Sequence, residues 1–200
     1  MLRIPVAGRG AWIAAAILLG GILPLAAAGA PAQIGTLDLE NHYVDPFRAA
    51  ADTRAIVLLF VGVDCPISNR YTPEIRRLQR AFEPRGVAFS LVYANPAESP
   101  QTIRSHVEAF GHSARVLRDP THALVKLTNA TVTPEVVVYD NKGRLVYRGR
   151  IDDRYARIGV ERPAATTHDL EDVLSAMVAG KVVPQRTTQA VGCFLSDFLR

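Results

Sequence analysis

Two cysteines, Cys65 and Cys193, carry the reactive potential of this 200-residue chain. Cys65 stands in Val63-Asp64-Cys65-Pro66-Ile67-Ser68-Asn69, after an apolar run and before a segment with helical patterning. A thiol at a helix start is placed for nucleophilic or redox chemistry. The unpaired amides and dipole of the first turn favour the thiolate, the form that attacks. Arg70, one turn on, favours that anion, and the adjacent Asp64 opposes it. Cys193 lies near the chain end, in Val191-Gly192-Cys193-Phe194. Three roles are open to it: a redox partner of Cys65, half of a permanent bridge, or a thiol that pairs with another chain or with none. A permanent bridge to Cys65 would close a loop of more than about a hundred residues and add about 4–5 kcal/mol in the entropic account.

The elements that must position these thiols are legible from the apolar pattern. Ala55 to Val61 is a continuous apolar run of strand length, as in a strand buried on both faces. A helix is expected from about Pro66 to Phe82, with Pro66 at its first position and Tyr71, Ile75, Leu78 and Phe82 on one face. Pro73 inside that span predicts a kink or a second start after Thr72. Val87 to Tyr93 is a second buried strand. Ser99 and Pro100 open a helix that Gly111 closes after Phe110. A short strand is expected at Ala114 to Leu117, and a helix over 120–128 from the Asp119-Pro120 pair. Val136 to Tyr139 and Leu145 to Tyr147 flank an Asp140-Asn141-Lys142-Gly143 turn and form a hairpin. A Pro-containing linker over 156–167 leads to a last helix over 168–179. Ile34, Leu37 and Leu39 are expected to form a short entry strand. Strands alternating with helices, ending in a hairpin, give an α/β fold with a mixed central sheet and helices on both faces.

Composition sets outer bounds. The net charge is +4 and the arginines are scattered, which indicates no nucleic-acid footprint. Arg3 and Arg9 precede an apolar stretch, Ala11 to Leu25, and small residues from Ala26 to Ala32. This pattern reads as a secretory signal over 1–32, cleaved after Ala28 or Ala32, with an uncleaved anchor as the rival. The chain then divides into the signal, a domain over 33–180 and a tail over 181–200 carrying Cys193. Export, to a bacterial periplasm, puts both cysteines where disulfides form. A membrane association is expected only if the leader stays attached.

The strand order, Cys65-Pro66-Ile67-Ser68 after the first buried strand, and Thr133-Pro134 before a late strand resemble the thioredoxin-like fold. More narrowly, residues 34–180 resemble its redoxin branch, which includes alkyl hydroperoxide reductase and thiol-specific antioxidant proteins. The resemblance implies a thiol redox protein in which Cys65 attacks a disulfide or a peroxide. Its partners would be protein or small-molecule thiols, disulfides or peroxides, and no cofactor is called for. It also implies a cis Thr133–Pro134 bond facing the cysteine. Thr133, Pro134 and Pro66 would then contact substrate, and the Thr133 backbone would pair with an extended chain. Ser68 stands where thioredoxins carry their second cysteine. A Cys-x-x-Ser helix cannot resolve its own mixed disulfide, so resolution falls to Cys193 or an external thiol. The Ser68 hydroxyl is then expected to bond either the Cys65 sulfur or nearby backbone. Gly62 and Leu58 occupy the positions of the threonine and proline of the peroxidatic motif, which tilts the expectation from peroxide reduction toward disulfide exchange. The alternative is a non-catalytic binding module of the same fold stapled by a Cys65–Cys193 disulfide.

Other polar residues carry weaker expectations. In the run Arg148 to Arg154, Asp152 or Asp153 is a candidate proton acceptor with Arg150 as its partner; the second reading, which the charge density favours, is a solvated, salt-bridged turn. The histidines, His42, His106, His112, His122 and His168, have no ligand spacing with a cysteine. Val61 and Asn69 stand where copper-delivery relatives would pair a second cysteine with Cys65, so no metal site is expected.

Overall fold

The computed structural model describes residues 34–183 and 186–195. The expected signal therefore lies outside the described residues. Among those that are described, no helix is long and apolar enough to cross a membrane.

The apolar run becomes β1 (Ala55–Val61), the middle of a five-stranded sheet. β2 (Val87–Tyr93) and β3 (Arg115–Arg118) lie on one side of it, both parallel. β5 (Glu135–Asp140) and β6 (Leu145–Gly149) lie on the other as the expected antiparallel hairpin. The intervening β4 (Val132–Thr133) belongs to a separate two-stranded pair.

Because side chains alternate across a strand, β1 feeds two cores at once. Ala55, Val57, Leu59 and Val61 join one cluster with α2 (Thr72–Phe82), α3 (Pro100–Phe110) and α5 (Asp169–Val178). Ile56, Leu58 and Phe60 join the other with Leu124 and Val125 of α4 (Ala123–Thr128). Leu58 is wholly buried. Leu58→Ala is expected to lower stability by about 2–5 kcal/mol, the usual range for a truncated core leucine, read as a shifted urea midpoint.

The helix over 66–82 divides with the second start that Pro73 predicted, one residue earlier: α1 (Pro66–Arg70) ends at Tyr71 and α2 restarts at Thr72, with Pro73 in its first turn. The missing proline N–H costs least there. The helix expected over 120–128 starts only at Ala123. Asp119 does not cap a Pro120 start; its Oδ2 accepts from the Val125 N–H at 2.8 Å, and His122 takes a left-handed conformation as the cap. Leu37 makes only isolated bridges to Tyr43 and Arg118, so the entry segment is not a strand. The linker over 156–167 contains a small hairpin, β7 (Tyr155–Arg157) with β8 (Val160–Glu161).

The tail is woven into the domain. The Thr188 N–H donates to Arg148 O at 3.1 Å, and its Oγ1 accepts from the Arg150 N–H and lies 2.6 Å from the Tyr147 hydroxyl. Farther on, β9 (Cys193–Phe194) pairs antiparallel with β4, and Leu195 is buried in the second core.

Candidate functional site

Cys65 caps the N-terminus of α1 and is 4 % exposed. Its Sγ–H donates to the Thr133 carbonyl at 2.9 Å, and its Sγ accepts from the Ser68 N–H at 3.4 Å. The Ser68 contact is thus made by backbone. The hydroxyl has no partner among the described residues, which corrects the expected side-chain role of Ser68. Because α1 is a single turn, the donor that the Cys65 sulfur meets is the one local Ser68 N–H rather than a long helix dipole. Arg70 points elsewhere, ion-paired with Glu161 of β8 at 2.6 Å.

The Thr133–Pro134 bond is cis. Thr133 is held in place by Glu135, whose carboxylate accepts from the backbone N–H groups of Thr131 and Val132 at 2.7 and 3.2 Å. The edge of Thr133 expected to receive an extended substrate is occupied by the protein's own tail. Thr133 stands opposite Cys193, and Val132 opposite Phe194. Directly opposed residues of an antiparallel pair point to the same face, with Cβ atoms about 4.5–5.5 Å apart. The Thr133 Oγ1 lies 3.4 Å from where a Cβ on Gly62 would stand, and the Cys65 Cβ lies 3.5 Å from that same point. One face of the β4–β9 pair therefore gathers Thr133, the Cys65 loop and Cys193. Both cysteines are thiols, with no disulfide between them.

The loop before Cys65 is clamped at a single residue. The Val63 N–H donates to Glu98 Oε1 at 2.9 Å, and the Val63 carbonyl accepts from Asn69 Nδ2 at 2.8 Å. Asn69 Oδ1 lies 2.8 Å from His106 Nε2, and His106 Nδ1 lies 2.9 Å from the Tyr93 hydroxyl. Since the Asn69 amide nitrogen is already donating, its oxygen accepts, so His106 carries its proton on Nε2 and takes one from Tyr93. Burial holds His106 below its ordinary pKa, which suits this neutral form. Glu98 is 6 % exposed and its Oε2 has no partner among the described residues. Burial first, and the nearby Asp64 after it, push the Glu98 carboxyl up to about 7 against the opposing pull of the Val63 N–H.

Sequence reasoning missed Glu98, His106 and Tyr93 as parts of this site. Glu98 sits in a polar turn, and only its burial marks it. The charged run after the hairpin is structural, the second of its two readings, but Asp152 and Asp153 are buried rather than solvated. Arg150 pairs with Asp169 at 2.7 Å, neither Asp152 nor Asp153. Asp152 accepts from the Tyr71 hydroxyl at 2.5 Å. Asp153 accepts from the Thr166 and Thr167 N–H groups, and these bonds, with that of the Thr166 hydroxyl foremost, hold it well below the usual carboxylate range. His112 lies beside Thr72, and burial pushes it down to about 4. His168 comes together with Glu74 and Asp152, their ligand atoms within 4.8 Å, a grouping that spacing could not reveal. Glu74 is already committed to Arg77, and Asp152 to Tyr71.

Residues 27–167 match the Redoxin family. Among solved structures, the chain is similar to an uncharacterised conserved protein from Geobacillus kaustophilus, at 26 % identity and a TM-score of 0.69, covering 82 % of this chain and 89 % of that one. It is also similar to a hypothetical protein from Sinorhizobium meliloti 1021, at 24 % identity and TM-score 0.68, covering 80 % and 87 %. A secreted Mycobacterium tuberculosis disulfide oxidoreductase homologous to E. coli DsbE shares the fold at 21 % identity and TM-score 0.50, covering 74 % and 96 %. No curated protein matches. The chain thus belongs to the Redoxin family and is, in general terms, a thiol redox protein of thioredoxin-like fold.

Proposed function

We propose that the protein is an exported thiol–disulfide oxidoreductase in which Cys65 and Cys193 form the exchanging pair. The observation that carries this reading is the β4–β9 register, which sets Cys193 opposite Thr133, the residue whose carbonyl accepts the Cys65 thiol. The pair supplies in tertiary structure what Ser68 denies to the helix. Thr133 and Pro134 form the wall that holds the reacting sulfurs in line, and Pro66 fixes the start of the turn behind Cys65. Disulfide exchange is preferred to peroxide reduction because the peroxidatic threonine position is Gly62. Export rests on the charged, apolar and small-residue order of 1–32, with the periplasm as the compartment that suits the chemistry.

The test is equilibration of the reduced protein in glutathione redox buffers, followed by non-reducing peptide mapping. A single Cys65–Cys193 disulfide is expected, forming and breaking reversibly at a potential above roughly −300 mV, where exchanging rather than structural disulfides lie. A bridge that resists the most reducing buffer would establish the staple instead. No bridge at any potential would remove the pair.

A further inference from the structure

The exchanging pair, taken as read, leaves open which sulfur meets the outside. A solvent-facing nucleophile backed by a buried partner is the simple expectation for Cys65, and the structure reverses it. Cys65 is 4 % exposed, and its sulfur is enclosed by the Thr133 carbonyl and the Ser68 N–H. Cys193 is half-buried and lines a groove of about 490 Å³ between the start of α1 and the β7–β8 hairpin. The groove walls include Pro66, Ile67, Tyr155, Ile158 and Phe194, and the last two are more than half exposed. The Arg70–Glu161 ion pair ties the hairpin to α1 across this groove, so its charges are matched and its interior is largely apolar.

We propose that Cys193 is the entry thiol, which forms the mixed disulfide with an external disulfide, and that Cys65 acts second, from behind it. In the first step the Cys193 thiolate attacks one sulfur of the external disulfide. That S–S bond breaks, a Cys193–S–S–R bond forms, and the departing thiolate takes up a proton. The Cys65 thiolate, its proton passed to solvent, then attacks the Cys193 sulfur. The Cys65–Cys193 bond forms and the second thiol leaves. The external disulfide has gained two electrons and the protein thiols have lost them; an external dithiol runs the sequence backward. β9 holds Cys193 between these two encounters, with the groove on one side and Thr133 on the other.

The test mixes reduced full-length protein with glutathione disulfide, quenches with acid at short times and locates the adduct by non-reducing peptide mass mapping. The first glutathione is expected on Cys193. In Cys65→Ser that adduct should persist, because nothing displaces it. In Cys193→Ser, modification of Cys65 should slow by at least about tenfold, as burial of the thiol predicts, and recover in guanidinium. An early adduct on Cys65 in the wild type, or Cys193→Ser reacting at the wild-type rate, overturns the proposal. A Cys193 adduct that forms first but never converts to the internal disulfide supports the entry role while removing the exchanging pair. An internal disulfide that follows an adduct on Cys65 does the reverse.

Discussion

Gly192→Val is expected to slow formation of the Cys65–Cys193 disulfide by on the order of a hundredfold, the usual cost of misplacing reacting groups by about an ångström. Gly192 passes against the cis peptide so closely that an added Cβ would fall on the Thr133 carbonyl, and it would also stand 3.1 Å from Pro134 N. Those atoms are backbone, lying between residues 131 and 132, which Glu135 holds, and β5 of the central sheet, so they have less freedom to shift than the tail. The tail must move instead, and the register that puts Cys193 opposite Thr133 goes with it. The rest of the domain should be spared, because Thr188 and Leu195 anchor the tail independently on either side. Far-UV circular dichroism should therefore match the wild type while the disulfide, followed by quenched non-reducing mapping, appears late. A valine variant that closes the bridge at the wild-type rate would show that the β4–β9 pairing does not position the pair.

The second large effect concerns Glu98. Its carboxyl is raised by burial from the ordinary 4.5 to about 7 in the fold. The folded state therefore holds the proton more tightly than the unfolded chain. This contribution is fully present below about pH 4.5, declines as pH rises, and is lost above about pH 7. The displacement corresponds to about 3 kcal/mol. Urea unfolding should show the wild type losing stability of that order between pH 4.5 and pH 8. Glu98→Gln should flatten this slope, because the amide oxygen can still accept from the Val63 N–H and no charge needs burying. Equal slopes in the two proteins would mean that Glu98 is not the group responsible. The same carboxyl sets the orientation of the Cys65 loop through Val63, so the variant also reports on how firmly that loop must be held. Asp64 disfavours the Glu98 anion from the loop side, and the Tyr93 phenol feels the Glu98 charge from the end of β2.

Much of the architecture was legible because it follows from local chemistry. The seven apolar residues of β1 announce a strand buried on both faces, and both cores bear this out. Ser99 and Gly111 bracket α3 as their side-chain and backbone preferences require. The expectations that failed share one cause. Asp119-Pro120 reads locally as a helix start, yet Asp119 is drawn to the Val125 N–H and the helix begins later. The segment over 156–167 has no strand pattern, and its hairpin is fixed instead by the Arg70–Glu161 pair and by the Arg162 N–H donating to Arg154 O at 2.7 Å.

The sequence by itself determined that this is an α/β redoxin with a lone cysteine at a helix start, Ser68 where a second would stand, and another cysteine in the tail. The elements and the cysteine placement depend on side-chain periodicity, cap preferences and spacing, and the redoxin likeness on the resemblance carried by Cys65-Pro66-Ile67-Ser68 and Thr133-Pro134; all of these are local to the chain. Only the tertiary structure decided that the tail pairs with β4, that Cys193 stands opposite Thr133, whose carbonyl accepts the Cys65 thiol, and that Glu98 is buried behind the Cys65 loop. Strand pairing between residues some sixty positions apart, and the desolvation of one carboxyl, are set by which surfaces meet, and no stretch of sequence taken alone contains that information.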